Sequence, residues 1–275
     1  MSEQRFHLAF HFLKDETAAA ARLLEEQNAP DVAAFLSKAP SSTVVEVLRS
    51  MVPDYAAAVL IEADKESVTA WMLALETPAL CAILRYLDES AVNALLALLP
   101  LKRQAASQLL LSYRADMVGA WAETDVPVAT DHMDAGELTK RLRRRQYRDN
   151  RLIVVLNEER HPVGVIHPGD LFQANEGLPI IQLMRPHGTT LRGRVTLSTA
   201  IKQSLWQEQD YAVIVNRHQQ WVGLLWHSCL KQQLHLQVTH PSLSQEPQYA
   251  LNQVLQAHGD SMKALLHAVH DGLKS

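Results

Sequence analysis

The residues able to do chemistry are scattered. His7 and His11 stand at i, i+4 and His267 and His270 at i, i+3, yet neither pair has the glutamate of a zinc hydrolase or nearby cysteines and carboxylates. Surface histidines are the better reading. Lys140 to Arg151 carries seven Lys/Arg in twelve residues, a basic density that suits nucleic acid. Tyr147 is its one aromatic side chain, so a solvated face or a phosphate-facing rim is preferred. Asp88, Glu89 and Asp116 are oxygen ligands of the kind hard divalent cations take, and they also suit helix starts, where the dipole favours acids. With 10 glycines in the chain and no GxSxG or P-loop string, no nucleophile with its base and no paired catalytic carboxylates stand out. The expectation is a non-enzyme.

The elements that must position such residues fall into two textures. Over residues 1–116, capping signals recur at Ser42, Pro53, Asp64, Thr77, Asp88 and Pro100, a spacing of about 11 to 13 residues. Apolar positions between them, such as Val44, Val45, Val47, Leu48 and Met51, keep helical spacing. Helices this short bury their faces only by stacking on neighbours, which predicts a helical solenoid. After Gly119 a β-α-β-β-α order appears: strands at 126–129, 152–156 and 163–166, with helices at 135–148 and 168–173. It recurs with paired strands at 211–215 and 221–225, a helix at 198–207 and a last helix from Ser228. The two copies lie about 60 residues apart. Pro241 to Gln248 reads as a polar linker, and Leu251, Val254, Leu255, Met262, Leu265, Leu266, Val269 and Leu273 trace an amphipathic face after it.

Composition sets the class. At 47% hydrophobic and 20% charged, the 275 residues describe an ordered globular chain of more than one domain. Residues 1–116 hold 10 Lys/Arg against 15 Asp/Glu, leaving 16 against 15 in the remainder, so the first half would repel nucleic acid. No signal peptide or membrane span is expected, and Cys81 and Cys229 suit a reducing cytoplasm.

The repeat resembles tandem CBS domain pairs, specifically the cytoplasmic part of MgtE-type magnesium transporters. The stretch Tyr113-Arg-Ala-Asp116-Met-Val-Gly119-Ala-Trp121 looks like that family's joint between a helical N domain and the first CBS strand, and the capped helices follow the order of its N domain. The resemblance covers residues 15–232 and stops before the family's connecting and membrane helices. It implies an α domain followed by an α+β pair: a helical MgtE N-like domain at 1–118, CBS modules at 119–176 and 177–238, and a helical extension at 239–275.

For the site, the resemblance implies an adenine nucleotide held between modules. The family motif places an aspartate on the ribose hydroxyls, and the first copy reads Gly164-Val165-Ile-His167-Pro-Gly-Asp170. Asp170 keeps that position; His167 replaces the usual hydroxyl residue, though a protonated imidazole also donates to phosphate. Val165, His167 and Asp170 are therefore the candidate nucleotide residues. The second copy reads Gly223-Leu-Leu-Trp226-His227-Ser228-Cys229, with the acid gone and Trp226 filling space. The resemblance also implies Mg2+ between acidic faces, with Asp88, Glu89 and Asp116 as candidate ligands. It points to a cytoplasmic regulatory module responding to adenine nucleotide or Mg2+, a homodimer through the CBS pair, without nucleic acid. Two alternatives stand beside this: an interaction protein with decayed ligand sites, and a detached sensory subunit whose partner is a membrane transporter subunit.

Overall fold

The structure, a computed structural model, describes residues 10–145, 147 and 150–239. After a helical segment at residues 10–15, short helices follow one another: α1 (Thr17–Glu25), α2 (Ala29–Leu36), α3 (Ser41–Ser50), α4 (Pro53–Glu62), α5 (Lys65–Ala74), α6 (Thr77–Leu84), α7 (Glu89–Leu96) and α8 (Leu101–Leu111). Most pack on the helix two places along: α1 on α3, α2 on α4, α3 on α5, α4 on α6 and α6 on α8. That alternation buries one continuous core, with Leu36, Leu48, Leu60, Trp71, Met72, Leu80 and Leu84 almost wholly covered. Capping chemistry sets the starts. Asp64 accepts from the backbone N–H groups of Glu66 and Ser67, and Asp88 from that of Ala91 at 2.8 Å. Thr77, expected as a cap, is instead the first residue of α6, with Glu76 at the cap position. Its side chain is buried, and the Thr124 hydroxyl donates to it at 3.1 Å.

Two three-stranded sheets follow, in orders β1-β2-β3 and β4-β5-β6. The first contains β1 (Val128–Thr130), β2 (Ile153–Leu156) and β3 (Pro162–Ile166), with helices α9 (Ala135–Arg144) and α10 (Pro168–Gln173). The second contains β4 (Thr190–Arg192), β5 (Tyr211–Val215) and β6 (Trp221–Trp226), with α11 (Leu197–Ala200) and α12 (His227–Thr239). In each, the first strand pairs parallel and the last two antiparallel, with a register shift at the hairpin end. The hairpin turns repeat in detail. Asn157 and Asn216 side chains accept from the backbone N–H of His161 and Gln220, and Arg160 and Gln219 take left-handed φ values of 67° and 62°. The turns also meet: the Trp221 N–H donates to the Arg160 carbonyl at 2.9 Å, and Gln220 Nε2 to that of Glu159 at 3.3 Å.

Two expected helices are shorter. The one expected over 135–148 ends at Arg144, and the one over 198–207 splits into α11 and a 3-10 turn at Ser204–Gln207. Trp206 Nε1 donates to the Ala200 carbonyl at 2.7 Å, taking an acceptor that a continuing helix would use. The extension at 239–275 lies beyond the described residues apart from Thr239, as do His7, His267 and His270.

The joint between helices and sheets is built around one ring. Tyr113 is buried between two glycines: a Cβ on Gly119 would stand 2.7 Å from its ring, and one on Gly193 2.6 Å. The segment after it is bound to the second copy of the repeat, not the first. Val118 and Gly119 N–H groups donate to the carbonyls of Val195 and Gly193 at 2.8 and 2.9 Å, and that of Leu197 to Asp116 at 2.8 Å. Trp121 Nε1 closes the turn on the Ala115 carbonyl at 2.7 Å.

Candidate functional site

Asp170 is the third residue of α10, directly after β3, where His167 holds the cap position without capping through its side chain. The backbone N–H of Asp170 donates to the His167 carbonyl at 3.0 Å. A residue the sequence did not mark faces the carboxylate: Arg185 Nη2 lies 2.8 Å from Asp170 Oδ2. The contact covers that oxygen, so the carboxylate already has a cationic partner that a ribose would have to displace. With the Arg185 side chain 59% exposed, the pair contributes at most about 1 kcal/mol and exchanges readily.

The backbone of Arg185 also closes on β3. It exchanges hydrogen bonds with Val165, N–H to carbonyl, at 2.9 and 2.8 Å. Gly164 permits that approach, because a Cβ there would meet the Arg185 carbonyl and Met184 Sδ, both at 2.9 Å. Val165 points its side chain into the core shared by the two sheets. Of the three candidates, Asp170 and His167 thus stand at the exposed strand-to-helix junction, while Val165 forms its floor.

The corresponding corner of the second copy is filled. Trp226, at the end of β6, sits edge-on to Tyr211 with centroids 6.1 Å apart, and the Arg151 guanidinium lies 3.5 Å over its ring. Its Nε1 is buried and finds no hydrogen-bond partner among the described residues. His227 stacks on Trp206 at 4.6 Å; burial, with Lys231 adding to it, holds that imidazole below its ordinary value against the pull of Asp210. Cys229, where the first copy has Asp170, is half-buried: burial pushes its thiol up to about 12, with Glu76 and Glu123 adding to the effect.

The acidic candidates do not form one cluster. Asp88 caps α7, Glu89 begins it, and Asp116 pairs with Arg114 at 3.1 Å. Among the described residues, no three His, Cys, Asp or Glu side chains converge as a metal site.

An unexpected acid is Glu123, 9% exposed between Thr124 and β6, accepting from the Asp125 N–H at 2.7 Å. Burial raises its carboxyl, Glu76 adds to that, and Arg103 opposes it. A raised carboxyl binds its proton more tightly in the folded chain. Its stabilisation is complete below the ordinary value of 4.5 and is lost as pH rises through the raised one. Glu123→Gln is therefore expected to raise the melting temperature at pH 7, with the gain vanishing below pH 4.5; a melting series across pH that shows a constant difference would contradict this.

Two parts of the chain match known domain families. Residues 15–116 match the family model of the MgtE intracellular N domain, and residues 118–177 match that of the CBS domain. The chain thus carries an MgtE N domain followed by a CBS module, and the second sheet repeats the first. Its fold is similar to that of the cytosolic domain of the Mg2+ channel MgtE in complex with ATP, with a TM-score of 0.67 at 19% identity over 77% of this chain and 88% of that one. The soluble part of a magnesium transporter gives a TM-score of 0.58 at 15% identity over 85% of this chain and 98% of that one. A search of curated proteins found no match.

Proposed function

We propose that the chain is a cytoplasmic regulatory module that takes one adenine nucleotide beside Asp170 and relays its occupancy to the helical N domain. The observation that carries this is the contrast between the two copies. The first presents the Asp170 carboxylate paired with a largely exposed Arg185, and the second has Cys229 in that place with Trp226 packed on Tyr211 and Arg151. A carboxylate accepting two ribose hydroxyls is a strong positional device. The similar cytosolic domain of MgtE was crystallised with ATP, which supports the same ligand class. Tyr113, locked between Gly119 and Gly193, gives a rigid route from the second module to the helices.

Within this reading, His167 faces phosphate, and Asp88, Glu89 and Asp116 are the carboxylates that Mg2+ would draw on, brought together by a second chain or by movement of the N domain. The homodimer forms through the CBS pair, where Phe172 is 90% and Ile181 54% exposed. Among the described residues no helix is long and apolar enough to cross a membrane. A membrane transporter subunit is the partner class this reading gives the module.

One observation favours a second reading. Arg185 already neutralises Asp170 and occupies the Val165 backbone, which suits an interaction protein whose ligand site has decayed. Calorimetry with ATP, ADP and AMP, with and without Mg2+, separates the two. The regulatory reading expects saturable heat at sub-millimolar nucleotide, and the absence of any heat at millimolar nucleotide would favour the decayed site.

A further inference from the structure

A second cleft, of about 600 Å3, lies where the N domain meets the first CBS module, away from the Asp170 junction. Lys102 and Arg103, in the first turn of α8, line it from the N domain, and Arg145, just past α9, lines it from the other side. Asp125 is the one carboxylate among its lining residues and is already paired with Arg145 at 2.6 Å. Three cations and this one acid thus line the cleft, with Glu123 acting on Arg103 from outside the lining. Lys102 has no carboxylate within ion-pair distance among the described residues. Burial, and after it the positive charge of Arg145 and Arg141, holds its ammonium below the ordinary value, with Asp125 opposing. Positive charge here is in excess, although the N-terminal half as a whole is acidic.

The cleft is also fixed in shape. Arg103 Nη2 donates to the carbonyls of Leu75 and Met72 at the end of α5, which holds the guanidinium at the wall. The Thr77 and Thr124 hydroxyls, hydrogen-bonded across the joint, add polar groups, and the Arg145 guanidinium lies 4.8 Å over the Tyr147 ring. Cations and hydroxyls converging from two domains match a small anion with several oxygens better than a divalent cation, which this field would repel.

We propose that this cleft binds a small phosphoryl anion, which bridges Lys102 and Arg103 of the N domain to Arg145 of the first CBS module and fastens the two together. The site is independent of nucleotide at Asp170. Its phosphoryl group could come from free pyrophosphate or from a nucleotide's phosphate tail, and both are tested.

The experiment is calorimetric titration of the full chain, free of Mg2+, with inorganic pyrophosphate and separately with ATP. It uses wild type, Lys102→Ala, Asp170→Ala and Lys140→Ala, the last removing one exposed cation that does not line the cleft. Pyrophosphate is expected to bind once per chain, about tenfold more weakly in Lys102→Ala and unchanged in Asp170→Ala and Lys140→Ala. ATP that keeps binding Asp170→Ala but loses affinity with Lys102→Ala assigns the cleft to a nucleotide's tail; pyrophosphate binding alone assigns it to the free anion. The proposal fails if pyrophosphate gives no heat at millimolar concentration, if Lys102→Ala binds as wild type does, or if Lys140→Ala weakens binding equally. Loss of pyrophosphate binding in Asp170→Ala would move the anion to the strand-to-helix junction and also overturn it.

Discussion

Tyr113→Ala is expected to lower unfolding stability by about 3–5 kcal/mol, the range for removing a large buried aromatic side chain. Tyr113 is 8% exposed and fills a slot whose walls are the backbones of Gly119 and Gly193. Those walls are fixed by the hydrogen bonds from Val118 and Gly119 to Val195 and Gly193, so they cannot collapse on the space left behind. A cavity therefore remains, between the N domain and the module to which it is bound. Gly119→Ala, which drives a methyl group into the same ring, is expected to cost about 1–3 kcal/mol. Denaturant titration of both variants checks this; a loss below about 1 kcal/mol for Tyr113→Ala would show that the ring is not what holds the joint.

Asp170→Ala is expected to weaken adenine nucleotide binding roughly tenfold to a hundredfold, about 1.5–3 kcal/mol for a charged acceptor serving two hydroxyls. The native Arg185 contact does not offset this, because an ion pair this exposed costs little to break. Cys229→Ala is expected to leave nucleotide affinity unchanged: a half-buried neutral thiol offers no charged acceptor to ribose hydroxyls, and Trp226 with Arg151 packed over it fills the end of β6. Equal affinities for wild type and Asp170→Ala would remove the ribose assignment.

The features legible in the sequence are those decided by neighbours in the chain. Asp64 and Asp88 cap helices with their own side chains, and the Asn157 and Asn216 turns are local, so helix starts and the repeat could be read directly. Where a distant group intervenes, local reading slips. Thr77 turns inward to meet Thr124, forty-seven residues away, and yields the cap position to Glu76. Trp206 captures the Ala200 carbonyl and splits a helix whose pattern looked continuous. The site divides in the same way. Asp170 and Trp226 stand in positions that a motif exposes, whereas Arg185 reaches Asp170 from an irregular segment with no periodic signal. The basic tract after Lys140 was visible as charge, but its partner across the cleft is a pair of residues in α8, joined to it only by the fold.

The measurement that bears most directly on the regulatory reading is equilibrium dialysis of the full chain against labelled ATP, beside Asp170→Ala and Lys102→Ala, with excess inorganic pyrophosphate present to fill the cleft at Lys102. The asymmetry between the two copies predicts one ATP per chain in wild type, retained in Lys102→Ala and lost or greatly weakened in Asp170→Ala. Two ATP per chain would show that the Trp226 corner is open, and no retained ATP at millimolar concentration would show that the Asp170 junction is not a nucleotide site.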